Sequence, residues 1–148
     1  MSGLESPRLG DSMPVELLIE VFGDPASQGS HSVINGRIVQ VNSAKHKKWR
    51  NAVVFAALDL ISEDWKPIDE PVELSVIFYL PRPKTVRDRQ FPAVMPDLDK
   101  LVRAVADSLT DAGIYADDSR IVRLTATKLY ADHRGAGALI RVNTLPDA

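Results

Sequence analysis

The stretch from Val72 to Leu80 restricts the fold more than any other, because every second residue in it is large and apolar. A period of two is typical of a β-strand with one face buried in a core. Pro81 and Pro83 follow directly and predict the end of this strand, since proline cannot donate to a β-ladder. The rest of the chain must therefore supply further strands and a layer that covers the apolar face.

Three other segments also indicate strands. Alternation predicts one strand over 15–21, and apolar, β-branched runs predict two more over 121–129 and 138–142, with a glycine-containing turn between them. Asn35-Gly36 stands between short apolar pairs, which predicts a small hairpin.

Apolar residues three and four positions apart predict two helices. The first begins at an N-cap, Ser43, and runs to about Ser62, with a stripe that includes Leu60. The second begins near Asp97 and ends at Gly113 in a left-handed cap. The order strand, helix, strand, helix, strand, strand predicts an α+β fold: one mixed β-sheet with two main helices packed on it. We expect a flexible tail over residues 1–12 and a single domain over 13–148.

Composition limits the chemistry. The 148 residues contain no cysteine and only three scattered histidines, which excludes disulfides, thiolate zinc sites and histidine metal clusters. Any metal must therefore be held by carboxylates, as Mg²⁺ is, with Mn²⁺ as a possible substitute. The apolar runs are too short to span a membrane, and no basic start precedes an apolar run, so a cytoplasmic protein is expected.

The charge distribution allows nucleic acid as a partner although the net charge is −2. Two basic clusters are the candidate DNA-binding surface, because cations on one face can follow phosphates whatever the net charge. Alternatively, the first cluster is only the solvated end of a helix. The residues are Lys45, Lys47, Lys48 and Arg50 in the first cluster, and Arg82 and Lys84 in the second.

The candidate metal ligands begin with Asp97 and Asp99. Asp-x-Asp pairs are often helix caps, and that interpretation stays open here. Residues two apart on a helix point about 200° from each other, so the two carboxylates converge only if Asp97 precedes the first turn. Arg103, four residues after Asp99, forms an intrahelical ion pair or stabilises charge on a phosphate. Lys100 and Asp107 are expected to face solvent.

A second acidic pair, Asp117-Asp118, follows this helix. Adjacent carboxylates repel one another and are costly to hold together without a cation. A helix about 25 Å long would separate Asp118 from Asp97. Either Asp118 reaches the first pair from a second subunit, or the helix is shorter than the pattern indicates.

The chain resembles the RusA family of Holliday-junction resolvases, the crossover junction endodeoxyribonucleases often carried by phages. The resemblance covers roughly residues 15–142, and its most specific part is a two-part acidic signature with weaker matches upstream. The signature consists of Pro96-Asp97-Leu98-Asp99-Lys100-Leu101, Ala104, Asp107-Ser108-Leu109, Gly113-Ile114-Tyr115 and Asp117-Asp118-Ser119-Arg120-Ile121-Val122.

The resemblance implies a homodimeric, Mg²⁺-dependent nuclease that makes paired incisions in branched DNA, above all four-way junctions. It implies that Asp97, Asp99 and Asp118 are the essential acids, with Asp118 preferred because the family's essential acid is the second of the adjacent pair. Arg103 stands where family members carry a functional lysine, which keeps the positive charge but changes its geometry. Pro96 replaces a basic residue that some members have there.

The residues themselves favour hydrolysis by water bound to Mg²⁺, because neither Ser108 nor Ser119 has a neighbouring histidine or lysine suited to activate it. One rival is a non-catalytic branched-DNA-binding protein whose acids only cap a helix. Another is a different Asp-x-Asp enzyme, a phosphatase or a glycosyltransferase. A phosphatase of the haloacid-dehalogenase type has its acids directly after a buried parallel strand, whereas here a polar loop precedes Asp97.

Overall fold

The structure, a computed structural model, describes residues 13–28, 31–40 and 43–146. Within these ranges it confirms the α+β class and the predicted order, with the hairpin inserted between the first strand and the first helix. The elements are β1 (Glu16–Phe22), β2 (His31–Ile34), β3 (Arg37–Gln40), α1 (Ser43–Leu60), β4 (Val72–Pro81), α2 (Leu98–Asp111), a 3₁₀ turn (Asp118–Arg120), β5 (Ile121–Ala131) and β6 (Gly137–Thr144).

The main sheet is mixed and has the strand order β1-β6-β4-β5. β4 pairs in parallel with β5, whereas β6 runs antiparallel to both β1 and β4. The link from β4 through α2 to β5 is therefore a crossover, in which the helix runs back along the sheet. This places the start of α2 near the carboxyl ends of β4 and β5, and its end near the start of β5.

The core lies between the helices and one face of the sheet. The alternate apolar residues of β4 are buried, as their period of two predicts, and they join the inward residues of both helices in one cluster. One predicted member of the α1 stripe is wrong: Leu60, in the last turn, is 48% exposed. The fully or almost fully buried residues include Leu74 and Phe78 of β4, Trp49 and Val53 of α1, and Leu101, Val105 and Leu109 of α2.

The turns follow the predicted chemistry. Asn35 and Gly36 both have positive φ angles, 52° and 77°, as a tight two-residue hairpin requires. Gly113 has a φ of 77° and ends α2 in the left-handed conformation. The predicted tail, residues 1–12, lies outside the described residues and stays a prediction. Among the described residues, no helix has the length and hydropathy to cross a membrane.

Candidate functional site

The exposed face of α2 carries a row of charged residues. Asp99, Arg103 and Asp107 stand four residues apart, so they lie along one side of the helix. At 1.5 Å per residue, Asp107 is about 12 Å along the axis from Asp99. This row therefore connects the two ends of the helix with an acid at each end and a cation between them.

Asp97 occupies the N-cap position of α2 without capping it. Its backbone is extended, with φ −68° and ψ 138°, and its side chain makes no capping hydrogen bond. The carboxylate is 54% exposed and lies 3.8 Å from the ammonium of Lys100. A helix cap therefore does not account for this acid, and its oxygens remain available to a ligand.

The adjacent acids Asp117 and Asp118 have different surroundings. Asp117 caps the 3₁₀ turn, because its carboxylate accepts a hydrogen bond from the amide of Ser119 at 2.9 Å. The hydrogen bonds from Ser119 lower the pKa of Asp117. Asp118 instead turns towards α2, where the hydroxyl of Thr110 donates to its carboxylate. The structure thus gives a physical reason to separate the two: one caps a turn, and the other faces the charged row.

Asp107 contacts Asp118, so the prediction that Asp107 faces solvent is wrong. The two carboxyl groups lie close to each other, and Asp107 is half-buried. Burial is the main reason that the pKa of Asp107 is raised, and the neighbouring carboxyl group and charge of Asp118 raise it further. The signal that was missed is spacing: Asp107 continues the four-residue row that begins at Asp99.

The four acids form two pairs at opposite ends of α2. Asp97 and Asp99 lie at its start, and Asp107 and Asp118 lie near its end. In the described part of the chain, no group of three or more acids and histidines is close enough to hold a metal ion. The helix has 14 residues, about 21 Å, so the alternative of a much shorter helix does not hold. One protomer therefore does not bring Asp118 to Asp97 and Asp99.

The first turns of α1 lie beside the Asp107–Asp118 end of α2. Arg50 is ion-paired with Asp111 of α2. Burial lowers the pKa of the nearby His46, and the charge of Arg50 lowers it further. A cleft of about 450 Å³ opens here between the two helices. It is lined by both of these α1 residues and by Gln28, Lys47, Asn51, Val54 and Asp111.

Of the six predicted DNA-binding residues, four are exposed: Lys45, Lys47, Lys48 and Lys84. Arg50 is half-buried in its ion pair. Arg82 is also used inside the molecule. Its guanidinium donates to both carboxylate oxygens of Asp132, at 2.7 and 3.1 Å, and stacks 4.5 Å from the ring of Tyr130. These contacts indicate a structural role for Arg82.

The loop between β4 and α2 is held at both of its ends by cations. Arg82 donates to the carbonyl of Arg89 at 2.8 Å. At the other end, the ammonium of Lys128, in β5, donates to the carbonyls of Val94 and Pro96 at 2.7 and 2.9 Å. The sequence reasoning did not single out Lys128, because a lone lysine in a strand gives no signal of the loop that it will meet.

Three comparisons bear on the family. The family model for endodeoxyribonuclease RusA matches residues 23–143. The uncharacterized protein YqaN of Bacillus subtilis (strain 168) is 31% identical over 137 residues, which are 82% of this chain and 92% of that protein. The crossover junction endodeoxyribonuclease RusA of Lactococcus phage r1t is 39% identical over 59 residues, which are 40% of this chain and 45% of that protein. Since the family match spans most of the chain, and includes both acidic pairs, this protein belongs to the RusA family of endodeoxyribonucleases.

Proposed function

We propose that this protein resolves four-way DNA junctions by Mg²⁺-dependent paired incisions, and that it acts as a homodimer. Each active site would combine Asp97 and Asp99 of one protomer with Asp118 of the partner subunit. The observation that carries this proposal is the separation of the two acidic pairs along one exposed face of α2.

A two-fold axis near Arg103 would bring the pairs together. If two copies of α2 lie antiparallel across this axis, the start of each helix faces the end of the other. The interface is then self-complementary, as a two-fold interface must be. It would contain two identical acidic sites, each made from both chains, and each distant from the other by roughly the 12 Å that separates Asp99 from Asp107.

The donor set fits Mg²⁺, which prefers carboxylate oxygens. The carboxylate of Asp97 is free of capping bonds, and Asp107 and Asp118 repel each other, a repulsion that a cation would relieve. When bound, Mg²⁺ would supply the activation of water and the neutralisation of charge on the phosphate. Arg103 is exposed beside these acids and would stabilise negative charge on the phosphate from the protein side.

The exposed lysines support DNA as the substrate. Lys47 lines the cleft beside Asp111 at the end of α2, Lys45 and Lys48 are on the same first turns of α1, and Lys84 lies in the loop between β4 and α2. These exposed cations can neutralise phosphates. A four-way junction has approximate two-fold symmetry and requires two cuts, so a dimer with two sites matches it. The phage relative carries the name of an enzyme with this substrate.

The test uses mixed dimers on a labelled four-way junction in Mg²⁺, with EDTA and a linear duplex as controls. Asp99→Asn and Asp118→Asn homodimers should each lose at least about 100-fold in cleavage rate, because each of their sites lacks one acid. A dimer of one Asp99→Asn and one Asp118→Asn protomer should recover cleavage. In that dimer one site carries both substitutions and the other carries none, so the product is a single nick.

Asp117→Asn is the matched control, since it neutralises the adjacent acid that only caps a turn, and it should leave cleavage nearly unchanged. A mixed dimer as inactive as both homodimers would reject the shared site. Tight junction binding by the wild-type protein with no cleavage, in either Mg²⁺ or Mn²⁺, would instead establish a non-catalytic branched-DNA-binding protein.

A further inference from the structure

Lys128 connects the edge strand β5 to the residues that lead into α2. It is half-buried, and the structure gives its ammonium two acceptors, the carbonyls of Val94 and Pro96 at 2.7 and 2.9 Å. A partly buried ammonium loses hydration, and two neutral carbonyls replace only part of it. An apolar side chain of the same length would cover the same surface without losing any hydration of a charge. The position therefore uses the charge for a specific contact.

The contact fixes the backbone of Asp97. The carbonyl of Pro96 belongs to the peptide unit whose nitrogen is that of Asp97, so Lys128 holds the peptide on one side of this residue. On the other side, the carbonyl of Asp97 accepts a hydrogen bond from the amide of Leu101 at 3.1 Å. With both flanking peptide units held, the backbone sets the direction of the Cα–Cβ bond of Asp97, from which the carboxylate extends.

Asp97 depends on this support because few contacts hold its carboxylate. It makes no capping hydrogen bond, and its ion pair with Lys100, at 3.8 Å, is exposed. Exposed ion pairs of this kind contribute little to the orientation of a side chain. The loop before Asp97 has no helix or strand of its own to hold it. Leu98 packs against the core on one side of Asp97, and the two bonds from Lys128 hold the residues that precede it.

We propose that Lys128 is a positioning residue that holds Asp97 in the orientation in which it binds the metal ion. This inference rests on the proposed function. Residues that orient metal ligands typically affect metal affinity by about 10–100-fold without contacting the metal. Lys128 should therefore act on metal binding and not on the affinity for DNA.

The experiment compares Lys128→Met, which removes the donors and keeps the stem length, with Lys128→Arg, which keeps a donor. Lys100→Met is the matched control, because it removes an equal charge beside Asp97 and touches neither carbonyl. Lys128→Met should raise the Mg²⁺ concentration for half-maximal cleavage about tenfold. Junction affinity in EDTA should change little, and Lys128→Arg should recover part of the loss. Lys100→Met should not raise the Mg²⁺ requirement, because the loss of a cation beside Asp97 favours a metal ion there.

Hydrogen exchange provides a readout that does not require cleavage. In Lys128→Met, the amide of Leu101, which donates to the carbonyl of Asp97, should exchange faster than in the wild type, while the amides of the β4 core strand stay protected and show that the protein is folded. Unchanged exchange, or an unchanged Mg²⁺ requirement, would overturn the proposal. A loss of junction affinity in EDTA equal to the loss of cleavage would also overturn it, because Lys128 would then be a DNA contact.

The two proposals fail in different ways. If the wild-type protein does not cleave junctions, the proposed function fails, and Mn²⁺ binding to the full-length protein, measured by electron paramagnetic resonance, replaces the cleavage assay. Weaker Mn²⁺ binding in Lys128→Met than in the wild type, with no weakening in Lys100→Met, would then support the positioning role. Equal Mn²⁺ binding in Lys128→Met and the wild type would reject it.

Discussion

At the scale of single residues, Asp117 and Asp118 are adjacent in the chain but differ in the contacts of their carboxylates. The amide of Ser119 binds the carboxylate of Asp117 and stabilises its charge, so this residue is engaged in the local turn. Asp118 accepts a hydrogen bond from Thr110, eight residues earlier in the chain, and lies close to the carboxyl group of Asp107. An acid that is held against another acid is poised for a cation, since the cation relieves their repulsion.

This crowding predicts that Asp107→Asn stabilises the protein in the absence of metal. The folded state raises the pKa of Asp107 above its ordinary value of 3.8, so ionising it in the folded state is unfavourable. The penalty is present in full above the raised pKa, shrinks as the pH falls through it, and vanishes below the ordinary value, where Asp107 is protonated in both states. An asparagine has no such penalty, and its amide NH₂ can donate to the carboxylate of Asp118.

Thermal unfolding in EDTA from pH 7.5 to pH 4.5 checks this prediction. The melting temperature of Asp107→Asn should exceed that of the wild type at the upper end, and the difference should decrease as the pH falls. Asp111→Asn is the control, because Asp111 is ion-paired with Arg50 and its neutralisation removes an attraction. An Asp107→Asn variant that is less stable than the wild type at pH 7.5 would contradict the argument.

At the scale of elements, two cations hold the loop between β4 and α2, one at the start of the loop and one in β5. Arg82, just after β4, holds one part of the loop, and Lys128 of β5 holds its last residues. The exposed Lys84 lies within the same loop. Positive charges that look alike in the sequence therefore divide into those that build the loop and those that are free to meet DNA.

Arg82→Gln and Lys84→Gln should separate these roles, since each removes one charge from the same loop. Arg82→Gln should lower the melting temperature by several degrees, because it removes the bidentate bond to Asp132 and the stacking on Tyr130. Lys84→Gln should leave stability unchanged and reduce the slope of log Kd against log salt by about one. Fluorescence anisotropy with a labelled junction at several salt concentrations measures the slope. A reversed pattern would mean that Arg82 contacts phosphate.

At the scale of the whole molecule, the acids at the two ends of α2 do not meet in a group of three or more within the described residues. If each site needs both protomers, a metal ion that binds there favours the dimer over the monomer. Self-association and metal binding are then linked, and each must strengthen the other by the same factor.

We therefore expect Mg²⁺ to lower the protein concentration at which the dimer dissociates, in the absence of DNA. Sedimentation velocity over a dilution series, with Mg²⁺ and with EDTA, measures this effect. Asp118→Asn should abolish it, whereas Asp117→Asn should retain it. The shared site would be refuted if Mg²⁺ changed the dissociation of the wild type and of Asp118→Asn equally.

The sequence by itself determined the fold class and the positions of the elements in the described chain. Strand and helix periods place apolar residues on one side of each element, and this local pattern is visible without coordinates. Leu60 was assigned wrongly because the pattern continued to the end of α1, where no neighbouring element covers it. The family was also recognisable, since the whole acidic signature lies within residues 96–122.

Only the tertiary structure decided which charged side chains meet. The crossover from β4 through α2 to β5 brings Asp118 beside Asp107 and keeps both far from Asp97. It also brings Lys128 to the carbonyl of Pro96, 32 residues earlier in the chain. Contacts of this kind depend on how elements are placed in space, and a single polar residue carries no periodicity from which that placement can be inferred. The sequence supplied the acids, and the path of the chain determined how they are paired.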